Sequence, residues 1–190
     1  MELAFSNYYI SEPFPELYEL KDQLLELIDN AHSTVQTDDE GSTNPSVISK
    51  LDWAYSKDME RPWVQLIYEY LGNKLVDMVR ERYHCRSIRF TDLWFQQYKQ
   101  NDSHGWHIHN SNWGGVYYLE LPQDENNLTQ MYLDNRVVTP EVKEGEICIF
   151  PATAIHRGMR VESTNRKTII SYNFEMVGIT KEQLNILNGL

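Results

Sequence analysis

The chain has 190 residues, 41% of them hydrophobic, with 28 acidic against 17 basic side chains and a formal net charge of -11. That length suits one domain with a substantial core, and that charge repels polyanions, which argues against a broad nucleic-acid groove while permitting a small basic pocket. No run of about 18 apolar residues occurs, and Met1-Glu2-Leu3-Ala4 lacks the build of a signal peptide, so neither a membrane span nor secretion is expected and a cytoplasmic setting is.

Residues 1–12, with Tyr8, Tyr9 and Ile10 ahead of the breakers Pro13 and Pro15, read as a leading strand or arm. From Pro15 the set Leu17, Leu20, Leu24, Leu25 and Ile28 recurs at helical spacing and predicts an amphipathic helix to about Asn30. Residues 31–50 are polar, contain Gly41 and Pro45 and show no sustained period, so they read as a loop. A solvated excursion is the plainer expectation for it and a lid over a substrate site the sharper one; Asp38-Asp39-Glu40 is most simply solvated, and Trp53 and Tyr55 would anchor the far end. Pro62 opens a second amphipathic helix through Val64, Ile67, Tyr68, Leu71, Leu75, Met78, Val79 and Tyr83, with Gly72 a possible break.

From residue 86 the character changes. Segments rich in β-branched and aromatic residues, near 87–99, 105–109, 113–121, 128–134, 145–150, 155–161 and 167–177, alternate with polar turn clusters. Helices followed by many short strands predict an α+β chain whose second half is a sandwich or barrel: a single domain, with helical support over 1–85, a β core over 86–177 and a tail over 178–190. Cys85 and Cys148 both lie beside strands and read as buried thiols rather than a staple, with Cys148 on the outward side of its strand.

The chemistry is expected around Gly105-Trp106-His107-Ile108-His109. In an extended strand His107 and His109 project to one side and Ile108 to the other. His156 follows Phe150-Pro151-Ala152 at the end of a second apolar run that strand pairing would bring alongside. Three neutral imidazoles suit a borderline first-row metal such as iron, nickel, copper or zinc. One H-x-H alone is a weak motif, because paired strand histidines also serve as surface or core groups. His104 reads as an exposed turn residue and a fallback ligand, Asp102 as an alternative carboxylate, and His32 and His84 join no constellation.

Tyr98, the His107-x-His109 pair, the strand Gly115-Val116-Tyr117-Tyr118-Leu119, Gly145 with Phe150-Pro151, His156, and the strand Lys167-Thr168-Ile169-Ile170-Ser171-Tyr172-Asn173 together resemble the Fe(II)/2-oxoglutarate oxygenases, most closely those of phages and marine bacteria. The resemblance covers roughly residues 88–175. It implies a double-stranded β-helix, a jelly roll of cupin-like form, with N-terminal supporting helices. The family pattern is H-x-D, a distal His, and then a cation on the last strand. Carried over residue by residue, it implies that His107 and His156 ligate Fe(II) and that Lys167 binds the far carboxylate of 2-oxoglutarate. By alternation Lys167, Ser171 and Asn173 share an inward face, while Arg166 points out. The resemblance further implies Ser171, Tyr98 and Asn173 as cosubstrate contacts.

His109 stands where the pattern has aspartate. A neutral imidazole there leaves the metal one charge more positive.

The activity so implied couples oxidative decarboxylation of 2-oxoglutarate, with O2, to hydroxylation of a C–H bond in a peptide side chain or small metabolite. Two other readings stand beside it: a three-histidine cupin-like dioxygenase that does not use 2-oxoglutarate, and a non-catalytic jelly-roll binding module. Lys167 also has an ordinary reading as a solvated edge charge. Tyr117 and Tyr118 read as barrel wall with one facing inward, and Trp106 and Trp113 as packing or an aromatic rim.

Overall fold

The computed structural model describes residues 9–38, 41–122 and 129–189. The leading arm through Tyr8, the acidic residues Asp39 and Glu40, and the start of the strand expected at 128 lie outside the described residues. Two antiparallel sheets face one another. The larger has the order β1 (Ile10–Pro13), β9 (Glu146–Pro151), β6 (Trp113–Glu120), β11 (Lys167–Ile179), β4 (Cys85–Tyr98), β3 (Val47–Leu51), β2 (Thr34–Thr37), and the smaller β5 (His104–His107), β10 (Ile155–Gly158), β7 (Thr129–Leu133), β8 (Arg136–Val138).

β1 (Ile10–Pro13) lies at an edge of the larger sheet against β9 (Glu146–Pro151), where the missing N–H of Pro13 costs no central ladder bond. α1 (Pro15–Tyr18) and α2 (Lys21–Asp29) replace the single helix expected from Pro15, with a turn at Leu20 between them. α3 (Pro62–Tyr83) starts with Pro62 in its first turn and ends where His84 turns left-handed at φ 52. It runs unbroken through Gly72, where a side-chain carbon would meet the Phe90 ring only at ordinary van der Waals distance. Trp63, Val64, Ile67, Leu71, Leu75 and Val79 repeat at three- and four-residue intervals and are fully buried, which fixes the face α3 turns to the sheet.

The polar stretch expected to be a loop holds a hairpin, β2 (Thr34–Thr37) and β3 (Val47–Leu51), and β3 pairs with β4 (Cys85–Tyr98). Thr, Ser, Gln and Lys on these strands hide the alternation. Lys50 secures the hairpin by donating from Nζ to the carbonyls of Ile28 and Asp29, both at 2.8 Å, at the C-terminal end of α2 where a cation is favoured.

β5 (His104–His107), β6 (Trp113–Glu120), β7 (Thr129–Leu133), β10 (Ile155–Gly158) and β11 (Lys167–Ile179) occupy the expected strand segments. β8 (Arg136–Val138) is an addition. It follows a two-residue turn in which Asp134 and Asn135 both have positive φ, the form that suits a tight hairpin. The expected C-terminal tail continues as the end of β11 and then α4 (Lys181–Leu187). Among the described residues no helix is long and apolar enough to cross a membrane.

The core has two layers. Tyr117, Leu119, Ile147, Ile149, Ile170, Tyr172 and Phe174 turn outward from the larger sheet to meet α1, α2 and α3, while Tyr98, Val116, Tyr118, Cys148, Phe150 and Ile169 turn inward between the sheets. Cys148 thus faces the interior, contrary to the outward expectation, because it alternates with Ile147 and Ile149, which the helices cover. Burial pushes its thiol pKa up, and both cysteines are free.

Candidate metal centre

His107 ends β5 and His156 sits on β10, and the two are direct partners in the antiparallel register. Opposed residues in such a ladder share a face, which brings their ring centres to 4.2 Å. His109 lies just past the end of β5, held by its N–H donating to the Ala152 carbonyl at 2.9 Å. Ile108 between them is 58% exposed, so the alternation that predicted a shared side for His107 and His109 continues past the strand end. The His109 ring centre is 5.1 Å from that of His107 and 4.8 Å from that of His156, and one ligand atom from each residue lies within 4.8 Å of the others.

Each ring is committed at Nδ1. His107 Nδ1 donates to the Gly105 carbonyl at 2.7 Å and His156 Nδ1 to the Ala154 carbonyl at 2.9 Å. His109 Nδ1 is 2.6 Å from Asn173 Oδ1, and Asn173 in turn donates from Nδ2 toward Asp92 Oδ2 at 3.4 Å, which fixes the amide so that its oxygen accepts from His109. All three protons therefore sit on Nδ1, and Nε2 carries the lone pair. Burial lowers the pKa of His107 to about 4 and of His156 to about 2, with repulsion between the rings adding to it. His109 is lowered by burial too, against the pull of the Asn173 hydrogen bond and the Asp92 charge. Three neutral imidazoles with oriented outer nitrogens and presented Nε2 atoms are the donor set of a borderline divalent metal.

The remaining predicted residues line the inner faces of β4 and β11. Their register sets Lys167 opposite Tyr98, Ile169 opposite Gln96, Ser171 opposite Trp94 and Asn173 opposite Asp92. Lys167 is 1% exposed, with Nζ 5.0 Å from the centre of the Tyr98 ring, which removes its reading as a solvated edge charge. Ser171 Oγ donates to Gln96 Oε1 at 3.1 Å, and Gln96 Nε2 donates to His104 Nδ1 at 3.3 Å. Asn173 is the support of His109, with its amide on that ring. Arg166 points away from this face and pairs with Asp29 and Glu120.

Two expectations change here. His104 is no exposed turn residue: it opens β5, stacks on His107 with ring centres 3.9 Å apart, and has its pKa lowered to about 3, chiefly by burial. Asp102 is no spare ligand: its carboxylate accepts from the backbone N–H groups of Ser49 and Lys99 and holds the turn before β5. Trp113 packs with Tyr83 and Phe174 on the helix side, away from any rim, while Trp106 lies under the guanidinium of Arg157 at 4.6 Å. Tyr118 faces inward and Tyr117 outward.

A cleft of about 940 Å³ opens over His107 and His109, with His104 also on its wall. Its walls include Asp92, Trp94 and Gln96 from β4, Trp53 and Tyr55 from a short 3-10 turn, and Gln36 and Leu51 from the β2-β3 hairpin, so the stretch read as a loop does border the site. Behind the triad a chamber of about 20 Å³ is bounded by Tyr98, His104, Val116, Phe150 and Ser171. Asp92, Trp94 and Gln96 were missed in the sequence. Stepping back from Tyr98 by twos reaches all three, so the alternation on β4 was the available signal.

No protein-family model matches the chain, and no curated protein sequence does. Solved structures match over nearly its whole length. An oxidoreductase of the 2OG-Fe(II) oxygenase family from Burkholderia pseudomallei superposes with a TM-score of 0.67 at 15% identity, covering 90% of this chain and 87% of its own. HygX from Streptomyces hygroscopicus, solved with nickel and 2-oxoglutarate bound, gives 0.67 at 9% identity over 93% and 85%. The collagen prolyl hydroxylase of Paramecium Bursaria Chlorella virus-1, solved as a 2OG complex, gives 0.57 at 15% identity over 93% and 100%. At such identities the likeness is one of fold: the chain is an α+β protein built on the double-stranded β-helix that these oxygenases have.

Proposed function

We propose that the chain is a non-haem Fe(II)- and 2-oxoglutarate-dependent dioxygenase that hydroxylates a C–H bond of a peptide side chain or small metabolite. The observation that carries this reading is the triad itself: His107, His109 and His156 converge with every Nδ1 occupied, His107 and His109 bordering the open cleft and His156 buried behind them on the inner chamber. The fold supports it by analogy, and the likeness in strand motifs to oxygenases of phages and marine bacteria belongs to the same reading.

The residues fit the implied groups. His107, His109 and His156 would hold the iron, and Lys167, buried beside Tyr98, would neutralise the far carboxylate of 2-oxoglutarate, with the Tyr98 hydroxyl as a donor and Ser171, whose proton goes to Gln96 in this structure, turning to join it. The bound iron and cosubstrate supply oxidising power drawn from O2 and the decarboxylation of 2-oxoglutarate to succinate. The chain's own work is to orient and exclude. Asn173 keeps His109 in the ligating tautomer, Ala152 pins its backbone, and Val116, Tyr118 and Phe150 keep the interior apolar and poor in water. The chamber of about 20 Å³ behind the triad holds roughly one water, so side chains bounding it would shift to seat the cosubstrate.

The test is production of succinate and CO2 from 2-oxoglutarate by the protein with Fe(II) and ascorbate. The reading expects slow uncoupled turnover that His156→Ala abolishes. Absence of turnover from a protein that binds iron would overturn it. His109 in place of a carboxylate favours one second reading, a three-histidine dioxygenase that binds its substrate directly on the metal. Thermal stabilisation of the metal-loaded protein by 2-oxoglutarate separates the two, since only the first expects it.

A further inference from the structure

The cleft above the histidines is chemically one-sided. Among the described residues Asp92, half-buried on β4, meets neutral donors only: Ser56 Oγ at 3.1 Å on one oxygen and Asn173 Nδ2 at 3.4 Å on the other. Among the described residues it takes part in no ion pair. Each oxygen has capacity for a further, stronger donor. Lys57 and Asp58, both exposed, border the same cleft, and neither forms an ion pair with Asp92 among the described residues.

An aromatic wall runs outward from the triad beside it. The Trp94 ring is 5.5 Å from that of His109, and the Trp53 ring stands edge-on to Trp94 at 4.6 Å. Trp53 is 48% exposed and Tyr55 43%, an unusual outlay of aromatic surface for a three-residue turn that would otherwise be solvated. Aromatic faces next to an unbalanced carboxylate form a receptor for an organic cation, which gains from the ring quadrupoles as well as from the ion pair. A chain of net charge -11 draws cations toward that receptor.

Resting on the oxygenase reading above, we infer that the substrate is an organic cation, a protonated amine borne on an aliphatic stem. Its ammonium docks between Asp92 and the exposed Trp53 and Tyr55 rings, and its methylenes run from there toward the triad. Asp92 is separated from His109 by Asn173 alone, so a stem a few carbons long spans from the anchor to the metal face. The amine can be a free alkylamine or a lysyl side chain; the recognising chemistry is the same.

The test is a titration of the metal-loaded protein, followed by tryptophan fluorescence and calorimetry. The probes are n-pentylamine and Nα-acetyl-lysine N-methylamide, each against a neutral twin, n-pentanol and Nα-acetyl-norleucine N-methylamide. The inference expects at least one cationic probe to bind about tenfold more tightly than its twin, with the preference shrinking as salt rises. It expects Asp92→Asn and, separately, Trp53→Ala to erase most of that preference; Trp53 is exposed, so its replacement leaves a folded protein on which to read the result. The tighter of the two cationic probes identifies the source as free amine or side chain. Equal binding of cationic and neutral twins, or a preference that survives both substitutions, overturns the inference. Metal content and succinate release are measured in parallel. Turnover without cation preference removes this inference alone, whereas cation preference without turnover removes the oxygenase reading and leaves the receptor.

Discussion

His107 and His156 face each other residue for residue across β5 and β10, ring centres 4.2 Å apart, although a long stretch of chain and several strands lie between them. That pairing turns two weak sequence signals into one site. The ladder register fixes it, so a shift by one residue would send one imidazole to the opposite face.

His109 is the third member and occupies the place of a carboxylate in the pattern the chain resembles. His109→Ala is expected to weaken Ni(II) or Fe(II) binding by at least about tenfold, while His109→Asp, which restores an anionic donor, holds the metal close to the parent affinity. Competition with a chelator measures both. Parent-like affinity in His109→Ala would remove His109 from the ligand set.

Asn173 touches the metal site only through His109, with its oxygen 2.6 Å from Nδ1. Its loss frees the ring to rotate and to take the other tautomer. Asn173→Ala is expected to lower metal affinity by about 10–100-fold, as removal of such outer partners does. The imidazole resonances in NMR should show mixed tautomers for His109 alone; an unchanged Nδ1–H signal would contradict the assignment.

Lys167 is a buried cation opposite Tyr98. Lys167→Met keeps the volume of the stem and removes the charge, a change that buried positions often tolerate. The expected result is retained fold and metal binding with 2-oxoglutarate affinity reduced by at least about tenfold, measured by calorimetry on the metal-loaded protein. Undiminished affinity would move the carboxylate partner elsewhere.

The metal-free protein should lose stability on mild acidification. Unfolded histidines titrate near pH 6.5, whereas burial holds His107 at about 4, His104 at about 3 and His156 at about 2. As the pH falls below 6.5 the unfolded chain takes up protons that the folded chain refuses, so stability declines through the window from about 6.5 toward 4 and continues downward for His104 and His156. Above 6.5 these groups contribute no pH dependence. Thermal melts between pH 7.5 and 4.5 should show the decline, and His156→Asn should reduce its slope; a slope unchanged by that substitution would contradict the assignment.

The frame of the site depends on Asp52, fully buried and accepting from Arg61 Nη1, from Trp63 Nε1 at 2.9 Å and from the Phe95 amide at 2.8 Å. It ties the 3-10 turn, α3 and β4 together. Asp52→Asn leaves Arg61 without its anionic partner and is expected to cost about 3–5 kcal/mol in denaturant unfolding. A loss under about 1 kcal/mol would show that the cluster is not a fold determinant.

The parts of this structure legible in the sequence were those with a strong period. The α3 face, the alternation on β11 and the separation of His107 from His109 by Ile108 each follow from backbone geometry and reappear in the structure. The β2-β3 hairpin escaped because its residues are polar on both faces and its support comes from backbone pairing and Lys50. His104 looked exposed because its neighbours are turn residues; its burial comes from Gln96 and His107, and only one of those is near in sequence. Asp102 looked like a ligand for the converse reason. Its proximity to the histidines in sequence says nothing of the two backbone amides that claim its oxygen.

The most direct measurement is X-ray absorption, or anomalous diffraction at the metal edge, on the Fe(II)- or Ni(II)-loaded protein. The account predicts one ion bonded to Nε2 of His107, His109 and His156 at about 2.0–2.2 Å. An ion held by fewer than three of these rings, or bonded through Nδ1, would contradict it.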